Sequence, residues 1–471
     1  MITDLGGAGP LKVTIRSLPD EVLLEIFTFC MGRTRGKDKW ITLVHVCRDW
    51  RYIVFASPLL LDLRLWVQRK THARELLDIW PALPIVIFPI NWQRIYDSKV
   101  MDNVIAALEH RDRVCNIIFH WFCVPGRKLE RFLEMMQYPF PALTHLELFK
   151  WLDEDEGAAV IPDSFLDGSA PLLQYLALTD VAFPALPKLL LSANDLVHLD
   201  LRRIAHAGYI SPEVMVASLS SMTKLRYFCL TFDSPRSRPS RESRRSPPMI
   251  RTALPSLTCF SFEGLSEYVE DFVARIDAPL LRDIQISIFN QLIFDNPQLS
   301  YIINCAERFN RVNAEVSFLK YNASVELSSE TGGCLLLQLS CSQADWHVSS
   351  VAQLCDVSLH PIPSLENLTV TTNSGNTRHF ERFDIEPSQW EELLYPFTNV
   401  KNLYLAEDVG LHTATALQGL VGESVIQLLP ALQSLFINGL QPSGPTWEAA
   451  QSFVAARQRY GHPIAIHRWE E

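Results

Sequence analysis

Pro141-Ala142-Leu143-Thr144-His145-Leu146-Glu147-Leu148 is the stretch on which the fold turns. Its apolar residues fall at Leu-x-x-Leu-x-Leu spacing, and the last of them alternate as in a half-buried strand. The pattern returns as Leu173/Leu176/Leu178, Leu196/Leu199/Leu201, Leu225/Phe228/Leu230, Leu257/Phe260/Phe262 and Leu281/Ile284/Ile286. After a weaker stretch it resumes as Leu365/Leu368/Val370, Val400/Leu403/Leu405 and Leu432/Leu435/Ile437. Copies start 23 to 35 residues apart, except across the gap from 281 to 365. Six copies carry a proline two residues ahead of the first apolar position: Pro141, Pro171, Pro255, Pro279, Pro363 and Pro430. Proline there cannot prolong a helix and favours an extended approach to the strand. Such a period predicts a solenoid, each unit one strand followed by a helix or an irregular return. A globular α/β domain with many short strands is the plainer alternative.

The repeats resemble leucine-rich repeats, in irregular form. The Asn or Cys that usually follows is mostly absent, and Asn373 is the one clean match. Residues 309–320, 323–327 and 335–339 are candidates for degenerate units within the gap. The segment 233–250 is rich in Ser, Arg and Pro, cannot bury a core, and predicts a disordered loop between repeats. Its Ser-Pro and Arg-x-x-Ser spacings suit phosphorylation. At the C-terminus (441–471), Thr446 is placed to cap a helix running to Tyr460, with Gly461 as its stop and Ile464-Ala465-Ile466 as a last strand. A solenoid needs such a cap over its final apolar face.

Ahead of the repeats, residues 16–66 form a different unit. It opens Ser17-Leu18-Pro19-Asp20-Glu21-Val22-Leu23-Leu24-Glu25-Ile26-Phe27 and closes with Val46-Cys47-Arg48-Asp49-Trp50-Arg51. Val22, Leu23, Ile26, Phe27, Phe29 and Cys30 recur at helical spacing. Either Pro19 opens the first helix, with Asp20 and Glu21 in its first turn, or Ser17 and Asp20 form a capping box. Fifty residues bury little of their own apolar surface, so part of it should meet another protein or the rest of the chain. Residues 1–15 carry no such pattern and are expected to be flexible. Between the two regions, 67–140 reads as alternating helical and strand-like runs leading into the repeats: helix 67–80, strand 83–89, helix 102–113, strand 114–122 and helix 128–137.

Leu18, Pro19, Glu21, Leu24, Ile26, Val46, Cys47, Trp50 and Trp66 resemble the F-box pattern position by position. The chain is thus identified as similar to fungal-type F-box proteins with C-terminal leucine-rich repeats. The implied fold is α+β: an N-terminal three-helix F-box followed by an α/β leucine-rich-repeat solenoid. The loop 32–39 is longer and more basic than is usual in the F-box. The resemblance implies the substrate-recognition subunit of an SCF-type cullin–RING ubiquitin ligase, cytoplasmic or nuclear, which performs no chemistry itself. Its partners would be a Skp-family adaptor, through it a cullin, and a protein substrate. An F-box scaffold acting outside a ligase is the alternative. The adaptor-facing set would be Leu18, Pro19, Leu23, Leu24, Ile26, Val46, Cys47 and Trp50. The substrate would lie on outward strand positions, among them His145, Glu147, Phe149, Tyr175, His198, Asp200, Arg202, Tyr227, Tyr404 and Phe436. Acidic residues outnumber basic ones on those positions, which favours a basic or neutral substrate patch over a phosphorylated one.

Composition sets bounds of its own. A formal charge of −11 argues against a nucleic-acid binder, which usually shows a basic surplus. No apolar run reaches the roughly 18–20 residues a membrane span needs, and no secretory leader is legible. Ten cysteines are scattered without Cys-x-x-Cys pairs, as small buried hydrophobes are in a reducing compartment. No nucleotide, metal or hydrolase motif is present, and Ser221-Met222-Thr223-Lys224 lacks the companions of an acyl-transfer site, so no cofactor is expected.

Overall fold

The computed structural model divides into two compact units, residues 1–147 and 148–471. It describes residues 15, 18–31, 39–58, 60–68, 72–88, 98–120, 126–150, 159–236, 250–289, 297–305, 312–319, 322–329, 332–340, 347–359, 365–372, 386–441 and 443–469. The elements are mixed α and β, with a large, mostly parallel sheet.

The first unit opens with three helices, α1 (Asp20–Met31), α2 (Lys39–Val44) and α3 (Arg48–Ala56). Pro19 precedes α1, and its carbonyl takes the first helical bond from Leu23 N–H at 3.1 Å. The alternative start at Ser17 lies outside the described residues. Asp20 and Glu21 occupy the first turn, where the helix dipole favours them. Leu23, Phe27, Trp40, Val44, Ile53 and Val54 are buried. Cys47 caps α3, its Sγ accepting from Trp50 N–H at 3.5 Å. The Trp50 ring lies 4.7 Å from that of Phe27, joining α3 to α1. Trp40 meets Trp80 at 5.1 Å and Phe55 at 6.0 Å, and its Nε1 donates to the Arg64 carbonyl at 3.3 Å. That cluster anchors the helices to the chain that follows.

Three parallel strands follow in chain order, Leu65–Val67, Ile85–Ile87 and Val114–His120. Helices Ala73–Ile79 and Ser98–Leu108 separate them, and Gly126–Met135 comes after. Strand–helix alternation therefore begins well before Pro141. The helix expected over 67–80 is shorter than its pattern: Val67 ends a strand, and only Ala73–Ile79 is α-helical.

In the second unit the strands run in spatial order Tyr175–Thr179, His198–Ile204, Tyr227–Phe232, Cys259–Gly264, Asp283–Phe289, Cys334–Ser340, Asn322–Ser329, Val312–Phe318, Asn367–Thr372, Asn402–Leu405, Ser434–Asn438 and Ala465–Trp469. Every Leu-x-x-Leu-x-Leu residue from Leu173 to Ile437 named above is buried. These side chains meet helices such as Ser266–Val273, where Phe272 lies 5.5 Å from Phe228 and 5.4 Å from Phe260. The prolines do something other than extend the chain. Leu173, Leu257, Leu281 and Leu432 N–H groups bond back to the carbonyls of Ala170, Leu254, Ala278 and Leu429. Pro171, Pro255, Pro279 and Pro430 thus hold the second position of a β-turn, where their fixed φ is already correct.

The gap in the repeat pattern is a reversal. Val312–Phe318, Asn322–Ser329 and Cys334–Ser340 form an antiparallel meander. Its last strand pairs in parallel with Asp283–Phe289 and its first with Asn367–Thr372. The candidate degenerate units are therefore hairpin strands, with no helix between them among the described residues. The Ser/Arg/Pro segment lies outside the described residues from 237 to 249.

The C-terminal helix is Pro445–Arg459, so Thr446 sits inside it and Gly444 is its N-cap. Gly461, at φ +80°, allows the turn into the last strand, Ala465–Trp469. Arg457 of this helix is fully buried and donates to the carbonyls of Val425, Leu428, Leu429 and Pro430 at 2.9–3.4 Å.

Candidate functional site

Side chains alternate across a strand, so while Leu176 and Leu178 point to the helices, Tyr175 and Thr179 point away from them. The sheet register then lines up Tyr175, His198 and Tyr227 on the outward face. The imidazole of His198 is sandwiched between the two phenol rings, at 4.3 and 4.1 Å, with planes within 7° and 2°. Two residues on, Asp200 holds Arg202 through Nε bonds of 2.8 and 3.1 Å, and the Arg202 guanidinium reaches Tyr227 Oη at 3.4 Å. The bond to Asp200 raises the pKa of Arg202, and burial pushes the Cys229 thiol up to about 12.

A second stack stands on the last strands. Tyr404 and Phe436 lie 4.4 Å apart, His467 adds to Phe436 at 4.8 Å, and Trp469 meets Tyr404 at 5.5 Å. His467 and Trp469 were missed because the final strand reads from sequence as 464–466 and in fact runs on to Trp469. Seven strand spacings, roughly 33 Å, separate Tyr227 from Tyr404. The predicted substrate residues therefore form separate clusters, not one pocket.

His145 and Glu147 belong to the first unit and Phe149 to the second. Glu147 accepts from His120 Nε2 at 3.0 Å and lies 4.0 Å from His145 Nε2. His120 was not anticipated, since the Leu-x-x-Leu-x-Leu pattern starts one strand later. The hydrogen bond from His120, with the His145 imidazole close by, holds the carboxyl down at about 2. A depressed carboxylate stabilises the fold above its ordinary value of 4.5, and that contribution disappears as pH falls toward 2. Glu147→Gln should flatten the acid limb of the stability curve between those values, read by denaturant titration at each pH. An unchanged limb would mean the His–Glu cluster is not formed.

On α1–α3 the adaptor set divides. Leu23 is buried; Leu18, Leu24, Ile26, Cys47 and Trp50 are half-buried; Pro19 and Val46 are exposed. Of the apolar residues at helical spacing in α1, Leu23 and Phe27 are buried while Val22 and Phe29 are exposed, Phe29 to 87%. Tyr52, exposed to 74%, joins Arg48, Arg51, Phe55 and Ala56 around a groove on α3. Hydrophobicity alone flags such residues, and only the helix packing shows which side they take.

Lys224 of the Ser-x-x-Lys segment is engaged by Asp195 at 2.6 Å. Among the described residues no group of three or more His, Cys, Asp or Glu could hold a metal ion, and no helix is long and apolar enough to cross a membrane. No family model matches the chain, and no curated protein matches it.

Proposed function

We propose that α1–α3 are an F-box that docks a Skp-family adaptor, and that the chain is the substrate receptor of an SCF-type cullin–RING ubiquitin ligase. The second unit is then an irregular leucine-rich-repeat solenoid whose outward sheet face holds a protein substrate. One observation carries the reading. Three short helices that bury Leu23, Phe27, Val44, Ile53 and Val54 leave Val22, Phe29, Val46 and Tyr52 in solvent. Exposed apolar residues gathered on so small a unit mark a protein-interaction surface. The F-box resemblance, carried by Leu18, Pro19, Leu24, Ile26, Val46, Cys47 and Trp50 of the same helices, names the partner. The receptor supplies no reacting group; it raises the local concentration of substrate lysines at the ligase.

The test is capture of the purified chain by an immobilised Skp-family adaptor. Phe29→Ala/Val46→Ala removes two exposed side chains without touching the core, and should weaken capture at least tenfold, about 1.4 kcal/mol or more. No capture of a folded wild-type chain would sink the adaptor reading. Capture without ubiquitylation of any partner would point instead to a scaffold outside a ligase.

A further inference from the structure

Across the middle of the second unit, the ladder register sets one outward row: Gln285, Leu336, Glu326, Glu315, Thr369, Tyr404, Phe436 and His467. Glu315 and Glu326 stand directly opposite each other in an antiparallel pair, and both are exposed. Like charges so placed repel and weaken a sheet. Among the described residues, Glu315 accepts from Thr371 Oγ1 at 3.1 Å and Glu326 from Cys334 Sγ at 3.5 Å, and neither pairs with a cation. Half-buried Leu336 flanks the pair on one side, and the Tyr404–Phe436 stack lies beyond Thr369 on the other.

We infer that this row is a docking surface for a basic, extended peptide segment of a partner protein. The inference rests on the substrate-surface reading above and specifies the substrate's chemistry. Charge complementarity selects the occupant: arginine or lysine neutralises two facing carboxylates, and cations also favour aromatic faces. Three strand spacings, roughly 14 Å, separate the carboxylate pair from the Tyr404–Phe436 pair. Residues four apart in an extended peptide lie about 13 Å apart on one side. A basic residue followed four positions later by an apolar one therefore fits the row.

The probe is a short fluorescein-labelled Gly/Ser peptide carrying two adjacent arginines and a leucine four residues on, with its glutamate counterpart as control. Anisotropy with the full chain at low salt should show binding of the arginine peptide, about tenfold weaker in Glu315→Gln/Glu326→Gln and lost with added salt. Without peptide, the same variant should melt about 1–2 °C higher because the repulsion is gone. Equal binding by the variant, equal binding of the glutamate peptide, or no rise in melting temperature would overturn the proposal. Binding that appears only after deletion of residues 237–249 would assign the row to the chain's own arginine-rich segment and also overturn an outside partner. If the arginine peptide fails but Tyr404→Ala/Phe436→Ala changes which proteins a reconstituted ligase ubiquitylates, the face remains a substrate surface and only the basic partner falls. If neither holds, the substrate-surface reading falls with it.

Discussion

Arg457→Ala should lower the stability of the second unit by about 3–5 kcal/mol, the largest loss expected from a single polar side chain in this protein. The guanidinium is fully buried, and burial lowers its pKa. Its compensation is geometric: Nη1 and Nη2 together donate to four backbone carbonyls in residues 425–430. Those carbonyls close the short helix Ser424–Gln427 and the turn that delivers the strand Ser434–Asn438, where Leu429 is held at φ +51°. Removing the side chain leaves acceptors without donors as well as a cavity, and each is costly. Arg457→Met keeps most of the volume but none of the bonds, and should recover only the cavity part. Denaturant titration of the three proteins reads the difference. A loss below about 1 kcal/mol for Arg457→Ala would show that the carbonyls find water and that the guanidinium is not their principal donor.

Phe27→Ala should cost about 3–5 kcal/mol in the first unit, whereas Phe29→Ala, two residues away, should stay within about 0.5 kcal/mol. Phe27 is completely buried against Trp50, while Phe29 is 87% exposed. Loss of the Phe27 ring leaves Trp50 without its main aromatic neighbour and empties the centre of a core too small to refill. Near-UV circular dichroism during thermal unfolding would report it. On the proposal that this unit docks an adaptor, both variants should weaken capture, but for different reasons: Phe27→Ala through unfolding, Phe29→Ala with the fold intact. Equal stability of the two would mean that α1 packs through another face.

The strands of the second unit were legible because each Leu-x-x-Leu-x-Leu triplet must place three side chains on one apolar layer. The outward positions followed from alternation, which is why Tyr175, His198 and Tyr227 were found together. Strand direction was not legible. The alternation of Leu335, Leu337 and Leu339 reads identically along or against its neighbours, so the meander looked like degenerate repeats. Glu315 and Glu326 escaped notice for the same reason, since only the antiparallel register sets them face to face. The strand Leu65–Val67 has three residues, too few for any period to show. For α1 the sequence showed which residues are apolar but not which face the other helices cover, so it could not separate buried Leu23 and Phe27 from exposed Val22 and Phe29.

The meander also bears on how local opening spreads. Away from the two edges of the meander, neighbouring strands of this sheet follow one another along the chain, so fraying at one end can pass to the next unit in order. At those edges, between Asp283–Phe289 and Cys334–Ser340 and between Val312–Phe318 and Asn367–Thr372, the sheet neighbours are instead about fifty residues apart, with two other strands lying between them in sequence. A segment that melts from the C-terminus meets hairpins whose ladders close on themselves. The block 312–340 is thus a firebreak between two stretches of sheet, and hydrogen exchange should find distinct opening free energies on its two sides.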